Sequence, residues 1–261
     1  MSQIVVLHIP HSSRHIPAEE RQAICLDDAE LDKELLRMTD AYTDELFPVT
    51  PVEAGRVVFP ISRLICDVER FPSDEDEPMA TRGMGVIYTR TSNGDLLRAQ
   101  PDPATCQSLL DRWYWPHHSK LERLLNDVVM RSGRCLIVDC HSFPSLALPY
   151  ELGQTEQRAE FCIGTDSFHT PSLIRDVIVA VVTEAGHSVA VDAPFAGALV
   201  PLASYHKDHR IWSVMVEVNR GVYMDEHSGL TKQGFQQVRT MVGRLIMTAA
   251  EAAARYLRAG Y

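Results

Sequence analysis

The sequence contains no block of basic side chains: 25 Lys and Arg are outnumbered by 35 Asp and Glu, and the formal net charge is −10. A polynucleotide partner needs a clustered positive footprint, so the charge pattern argues against nucleic-acid binding. There is no apolar run near the length of a bilayer-spanning helix. The start, Met1-Ser-Gln-Ile-Val-Val-Leu, has no charged segment ahead of its short apolar run. The expectation is a soluble, cytoplasmic protein without a membrane partner. The six cysteines (Cys25, Cys66, Cys106, Cys135, Cys140, Cys162) include no C-x-x-C pair. Several sit inside apolar runs, where a thiol behaves as a small hydrophobe, so they read as reduced core residues. No Gly-x-Ser-x-Gly elbow marks a serine hydrolase, and Arg82-Gly-Met-Gly85 alone makes no phosphate loop. Neither an internal repeat nor a linker divides the chain.

What is present is a 261-residue chain, 45% hydrophobic and 23% charged, enough to bury a sizeable core within one α/β domain. Residues 4–8 read as a strand stopped by Pro10, which leaves His11 at its carboxyl end. Behind Asp27-Asp28, the apolar spacing of Leu31, Leu35, Met38, Tyr42 and Leu46 predicts one helix over 28–47, with Asp40 near its middle. Residues 57–68, interrupted by Pro60, predict one or two short strands carrying Arg63 and Asp67. Residues 69–100 read mostly as surface loop, and 104–130 as a helix kinked or split at Pro116. Strands follow at 135–141, 161–164, 189–191 and 212–219, with helices at 172–185 and 231–257. Alternating strands and helices imply a mainly parallel or mixed sheet covered by helices on both faces.

In such folds, ligands bind beyond the carboxyl ends of the strands. Three apolar runs deliver a polar residue there: His11, His141 after Leu-Ile-Val-Asp-Cys, and Glu217 within Val-Glu-Val-Asn. Two imidazoles and a carboxylate are the raw material of an open zinc site, which takes three protein ligands and keeps a fourth position free. Cys140 beside His141 does not suggest a thiol nucleophile and its base, because adjacent strand residues point to opposite faces.

Taken in order, His8-Ile-Pro-His11-Ser-Ser, Thr39-Asp40, Ser62-Arg63-Leu-Ile-Cys-Asp67-Val-Glu-Arg70, Asp139-Cys-His141-Ser142 and Glu217-Val-Asn-Arg220 resemble the signature segments of N-formylglutamate amidohydrolases. Trp115-Pro-His-His118 is a lesser match. The family looks like a remote relative of zinc carboxypeptidases and of the aspartoacylase and succinylglutamate desuccinylase group. The resemblance therefore implies a carboxypeptidase-like α/β fold and one zinc ion per chain. It also implies a role in amino-acid degradation, that of histidine among them, with an anionic N-acyl amino acid as the small-molecule partner.

Carried over by position, His11 and His141 are metal ligands and Glu217 is the catalytic base. The relatives' His-x-x-Glu is missing, since Arg14 stands three after His11; Asp40 is the third ligand chosen. His8 is a second candidate, disfavoured because strand residues three apart face opposite ways. Arg63 and Arg70, flanking Asp67, offer bidentate forks for substrate carboxylates, with His118 as a further contact. Where the family commonly has Asp-Leu-Asn-Arg, this chain has Asp67-Val-Glu69-Arg70, which brings an anion towards the anion site. The implied reaction is zinc-assisted hydrolysis of N-formyl-L-glutamate to formate and glutamate. The competing readings are a related zinc deacylase or carboxypeptidase acting on another N-acyl amino acid or short peptide, and a non-catalytic sensor of an acidic metabolite.

Overall fold

Strand β1 (Val5–Ile9) is buried along its whole length because it lies inside the sheet, paired in parallel with β2 (Glu53–Val58) on one side and β3 (Cys135–Phe143) on the other. That position accounts for its continuous apolar run. The computed structural model describes residues 3–151, 153–154 and 157–258. Among them the sheet has six strands in the order β2-β1-β3-β6-β4-β5, with β4 at Phe161–Gly164, β5 at Val189–Val191 and β6 at Ile211–Asn219. The first four run parallel; β4 is antiparallel to β6, and β5 is parallel to β4. The sheet is thus mixed. Among the described residues no helix separates β3 from β4, whereas helix Ser172–Glu184 supplies the crossover that parallel β4 and β5 require.

The helices used below are α1 (Asp28–Met38), α2 (Pro103–Leu109), α3 (Trp115–Ser132), α4 (Ser172–Glu184) and α5 (Phe235–Arg258). Helix α3 packs on β1, β2 and β3, while α4 and α5 pack on each other, α4 also on β4 and β5 and α5 on β3. No helix among the described residues is long and apolar enough to cross a membrane. All six cysteines are free; four are buried, Cys106 is half-buried and Cys25 is exposed, so the core reading does not extend to Cys25.

Four differences from the expected elements bear on the site. Helix α1, started by an Asp27–Glu30 capping box, ends at Met38 instead of running to 47. Thr39 is extended, Asp40 donates its N–H to the His11 carbonyl at 2.9 Å, and Tyr42 adopts a left-handed φ of 65° before a short turn at Thr43–Leu46. The long-range bond to His11 competes with helix continuation and takes Asp40 off the helix. Strand β2 lies earlier than expected and stops before Pro60, which has no N–H for the ladder; Arg63 and Asp67 are on irregular backbone beyond it. A π-type turn at Leu110–Tyr114 separates α2 from α3, so Pro116 falls in the first turn of α3, where its missing N–H costs nothing. Helix α5 starts later than expected because Thr231 pairs with Met224 in an isolated bridge.

Residues 69–100 hold no strand or α-helix, as expected, but together with 59–68 they are not merely a surface loop. Phe59, Leu64, Met84, Tyr88 and Leu97 form a second apolar cluster with α1 and Tyr114, beneath the loops around the site.

Gly164, at the end of β4, is packed against the loop that follows β5: a Cβ there would lie 2.4 Å from the Gly197 carbonyl oxygen and 2.3 Å from Met215 Cε. Gly164→Ala is therefore expected to lower stability by about 1–3 kcal/mol, the usual cost of overpacking. A urea melt with a lower midpoint and unchanged slope shows this; an unchanged midpoint contradicts the close approach.

Candidate active site

Parallel pairing sets His8 of β1 beside Asp139 of β3, and His141, two residues further along β3, beside Glu217 of β6. Residues two apart on a strand share a face. These four side chains therefore stand together at the carboxyl ends of the parallel strands. Cys140 points to the other face, into the main core.

Loops bring the remaining groups: His11 two residues past β1, Asp40 past α1, and the 61–71 segment past β2. His141 Nδ1 lies 3.0 Å and His11 Nδ1 3.6 Å from Asp40 Oδ2, and all three residues are buried. Their ligand atoms fall within 4.8 Å of one another. His11 Nδ1 has no hydrogen-bond partner, while His11 Nε2 is held 2.8 Å from Asp67 Oδ1. A buried imidazole nitrogen without a partner, with its other nitrogen fixed by a carboxylate, is the arrangement of a metal-binding histidine. Asp40 Oδ1 accepts from Arg220 Nη2 at 3.2 Å, and Oδ2, which also accepts the Ser142 N–H at 3.3 Å, faces the two histidines. Burial opposes ionisation of Asp40, yet His11 and His141 hold its carboxyl well below the usual range. The donor set, two imidazoles and an ionised carboxylate, fits a divalent cation such as zinc.

Glu217 is buried, and its Oε2 is without a hydrogen-bond partner. Burial pushes its carboxyl up to about 8; His141 pulls it down and Asp40 pushes it further up. A cation at the His11–Asp40–His141 group would lower it. A carboxyl poised near neutrality against a cavity suits general acid–base work.

These groups line a cavity of about 430 Å³ together with Arg63, Arg70 and His118. Apolar side chains line it as well, among them Phe71, Met79, Phe143, Leu148, Phe195 and Leu202. Arg70 Nε is buried without a hydrogen bond, 3.6 Å from Asp67 Oδ2. Arg63 Nη2 donates to Asp67 Oδ2 at 2.8 Å. Buried His118 has its Nε2 3.0 Å from the Val68 carbonyl oxygen, and burial lowers its pKa to about 4, so it faces the cavity as neutral imidazole.

Asp67 does not line the cavity. Its oxygens are taken by His11, Arg63, the Glu69 N–H and the Tyr88 hydroxyl, so it stands behind His11 and Arg63, away from the cavity where a substrate-contacting residue was expected. The segment is also not extended: Arg70 N–H bonds back to the Asp67 carbonyl in a turn. Glu69 consequently lines the cavity beside Arg70.

Three groups escape sequence reasoning. Asp139 lies 2.8 Å from His8 Nδ1 and 3.2 Å from His141 Nε2; its place in the Asp139-Cys-His141-Ser142 segment is the signal for it. Arg220 holds Asp40 from the short turn after β6, and only its position in the Glu217-Val-Asn-Arg segment hinted at a role. The loop of 194–202 lines the cavity, and nothing local marks it.

Comparison with known proteins gives consistent results. Among curated protein sequences, none matches significantly. The structure of an N-formylglutamate amidohydrolase from Ralstonia eutropha superposes with a TM-score of 0.79 at 23% identity, covering 100% of this chain and 96% of that one. A gene product of Agrobacterium tumefaciens gives 0.63 at 17% identity, covering 97% and 92% respectively. At such identities both speak to the fold. The family model for N-formylglutamate amidohydrolase matches residues 3–224, and the chain belongs to that family of amide-bond hydrolases.

Proposed function

We propose that this protein is a zinc-dependent amidohydrolase that cleaves N-formyl-L-glutamate to formate and L-glutamate. The observation that carries the reading is the convergence of His11, Asp40 and His141 on one cavity wall, with Glu217 beside them. Those three would hold the zinc, which when bound supplies a Lewis acid for the acyl carbonyl and lowers the pKa of a coordinated water. Glu217 accepts one proton of the attacking water and returns it to the leaving amine nitrogen as the C–N bond breaks; the second water proton, left on the acid that forms, also passes to the amine, so formate and an ammonium group depart without a free proton. Arg70, with a buried Nε and no hydrogen-bond partner, is the group best placed to take a substrate carboxylate, and Arg63 beside it adds positive charge. His118 offers a neutral ring to the substrate.

The test is formate release by zinc-loaded protein from N-formyl-L-glutamate and from N-formyl-L-leucine. Arg70→Ala should lose about 1.5–3 kcal/mol of transition-state binding for the acidic substrate, roughly ten- to a hundredfold in kcat/KM, and much less for the neutral one. Equal losses on both remove the arginine clamp. A wild type that binds N-formylglutamate with micromolar affinity but turns over no N-formyl amino acid leaves a sensor in place of an enzyme.

A further inference from the structure

Beside the His11 group lies a second convergence of donors that the proposed reaction does not use. His8 Nδ1 is 2.8 Å from Asp139 Oδ1 and 3.1 Å from Glu69 Oε1, and the three ligand atoms lie within 4.8 Å of one another. His8 and Asp139 are wholly inaccessible to solvent. Glu69 Oε1 is buried and lacks a hydrogen-bond partner. His141 faces this group too: its ring is 5% exposed, and its Nε2 has no hydrogen bond although it lies 3.2 Å from Asp139 Oδ1 and 3.8 Å from Glu69 Oε1.

We infer that His8, Glu69 and Asp139 form a second divalent-cation site, next to the one formed by His11, Asp40 and His141. Two carboxylates brought together out of water repel unless a cation lies between them. The backing of each ligand suits that occupant. His8 Nε2 is 2.8 Å from His117 Nε2, so a proton on Nε2 is donated to His117 while Nδ1 keeps its lone pair towards the cluster. Asp139 Oδ2 accepts the Leu199 N–H at 3.1 Å, while Oδ1 points inward, 2.8 Å from His8 Nδ1 and 3.2 Å from His141 Nε2. One imidazole and two carboxylates suit zinc, cobalt or manganese. The site also explains how a cavity meant for an anion tolerates Glu69 on its wall: a cation on Oε1 cancels that charge. This last consequence rests on the proposed substrate, whereas the site itself does not.

Zinc titration of the chelator-stripped full chain by calorimetry, with metal content measured after dialysis, tests the inference independently of activity. Wild type should take two zinc ions per chain. Glu69→Gln, which keeps the side chain's shape, should take one, with its affinity for that ion unchanged. His11→Ala should also take one, and the double variant none. Asp139→Asn repeats the first variant if Glu69→Gln fails to fold. A wild type that takes a single ion, lost in His11→Ala and kept in Glu69→Gln, overturns the second site and leaves the proposed function standing. A single ion lost in Glu69→Gln and kept in His11→Ala overturns the His11 assignment instead.

Discussion

His141→Ala should lose the cation of the His11 group and, with it, nearly all hydrolytic activity. His141 Nδ1 is one of three donors, and two remaining ligands hold zinc far more weakly than three. The loss should exceed that of Asp40→Asn, which keeps a neutral oxygen in the same place. The stability of the metal-free protein should fall as well. His141 lies between two buried carboxylates, 3.0 Å from Asp40 and 3.2 Å from Asp139, and their charges hold its pKa up against burial. Removing the imidazole leaves both carboxylates without the positive partner between them, a defect worth about 3–5 kcal/mol at buried ion pairs. Metal content by mass spectrometry and a denaturant melt read the two effects separately. A variant that is less stable but fully loaded with metal would show that His141 is a structural ion-pair member and that the ligand is another residue.

The sequence made some of this arrangement visible, for physical reasons. Strands β1, β3 and β6 are buried on both faces, so a polar residue at the end of such a run stands out, and His11, His141 and Glu217 could be picked from pattern alone. The mixed sheet was within the expected class, but the reversal of β4 was not readable, because it depends on β6 being inserted later between β3 and β4. Asp40 came from family resemblance and was placed inside a helix. Periodicity carried that helix too far, since it cannot register the bond from the Asp40 N–H to the His11 carbonyl. The turn at 67–70 is equally hidden from periodicity: the Asp67 carboxylate accepts the Glu69 N–H, and Glu69 and Arg70 both line the cavity. Side chains that act from behind, such as Tyr88 and Arg220, leave no local pattern, because their roles arise from contacts 21 and 180 residues away in sequence.

Glu217→Gln should keep its zinc and lose roughly a hundred- to ten-thousandfold in kcat, the usual contribution of a general acid–base group. The amide has nearly the carboxyl's shape, and Glu217 belongs to neither group of candidate ligands, so metal content should not move. KM should change little, because a base acts mainly in the transition state. The pH profile adds a test that a merely structural role would not pass. The catalytic form of Glu217 is the ionised one, so kcat/KM should rise with pH through the carboxyl's pKa and then level off. Without a cation that value stands at about 8, raised chiefly by burial. A divalent cation beside it favours the charged form, so the acid limb of the zinc-loaded enzyme should lie below 8. In Glu217→Gln the residual activity should lose that limb. A variant that keeps wild-type kcat, or that keeps the limb unchanged, would assign proton transfer to another group, and the ionisable candidates on the same wall are then His118 and Glu69.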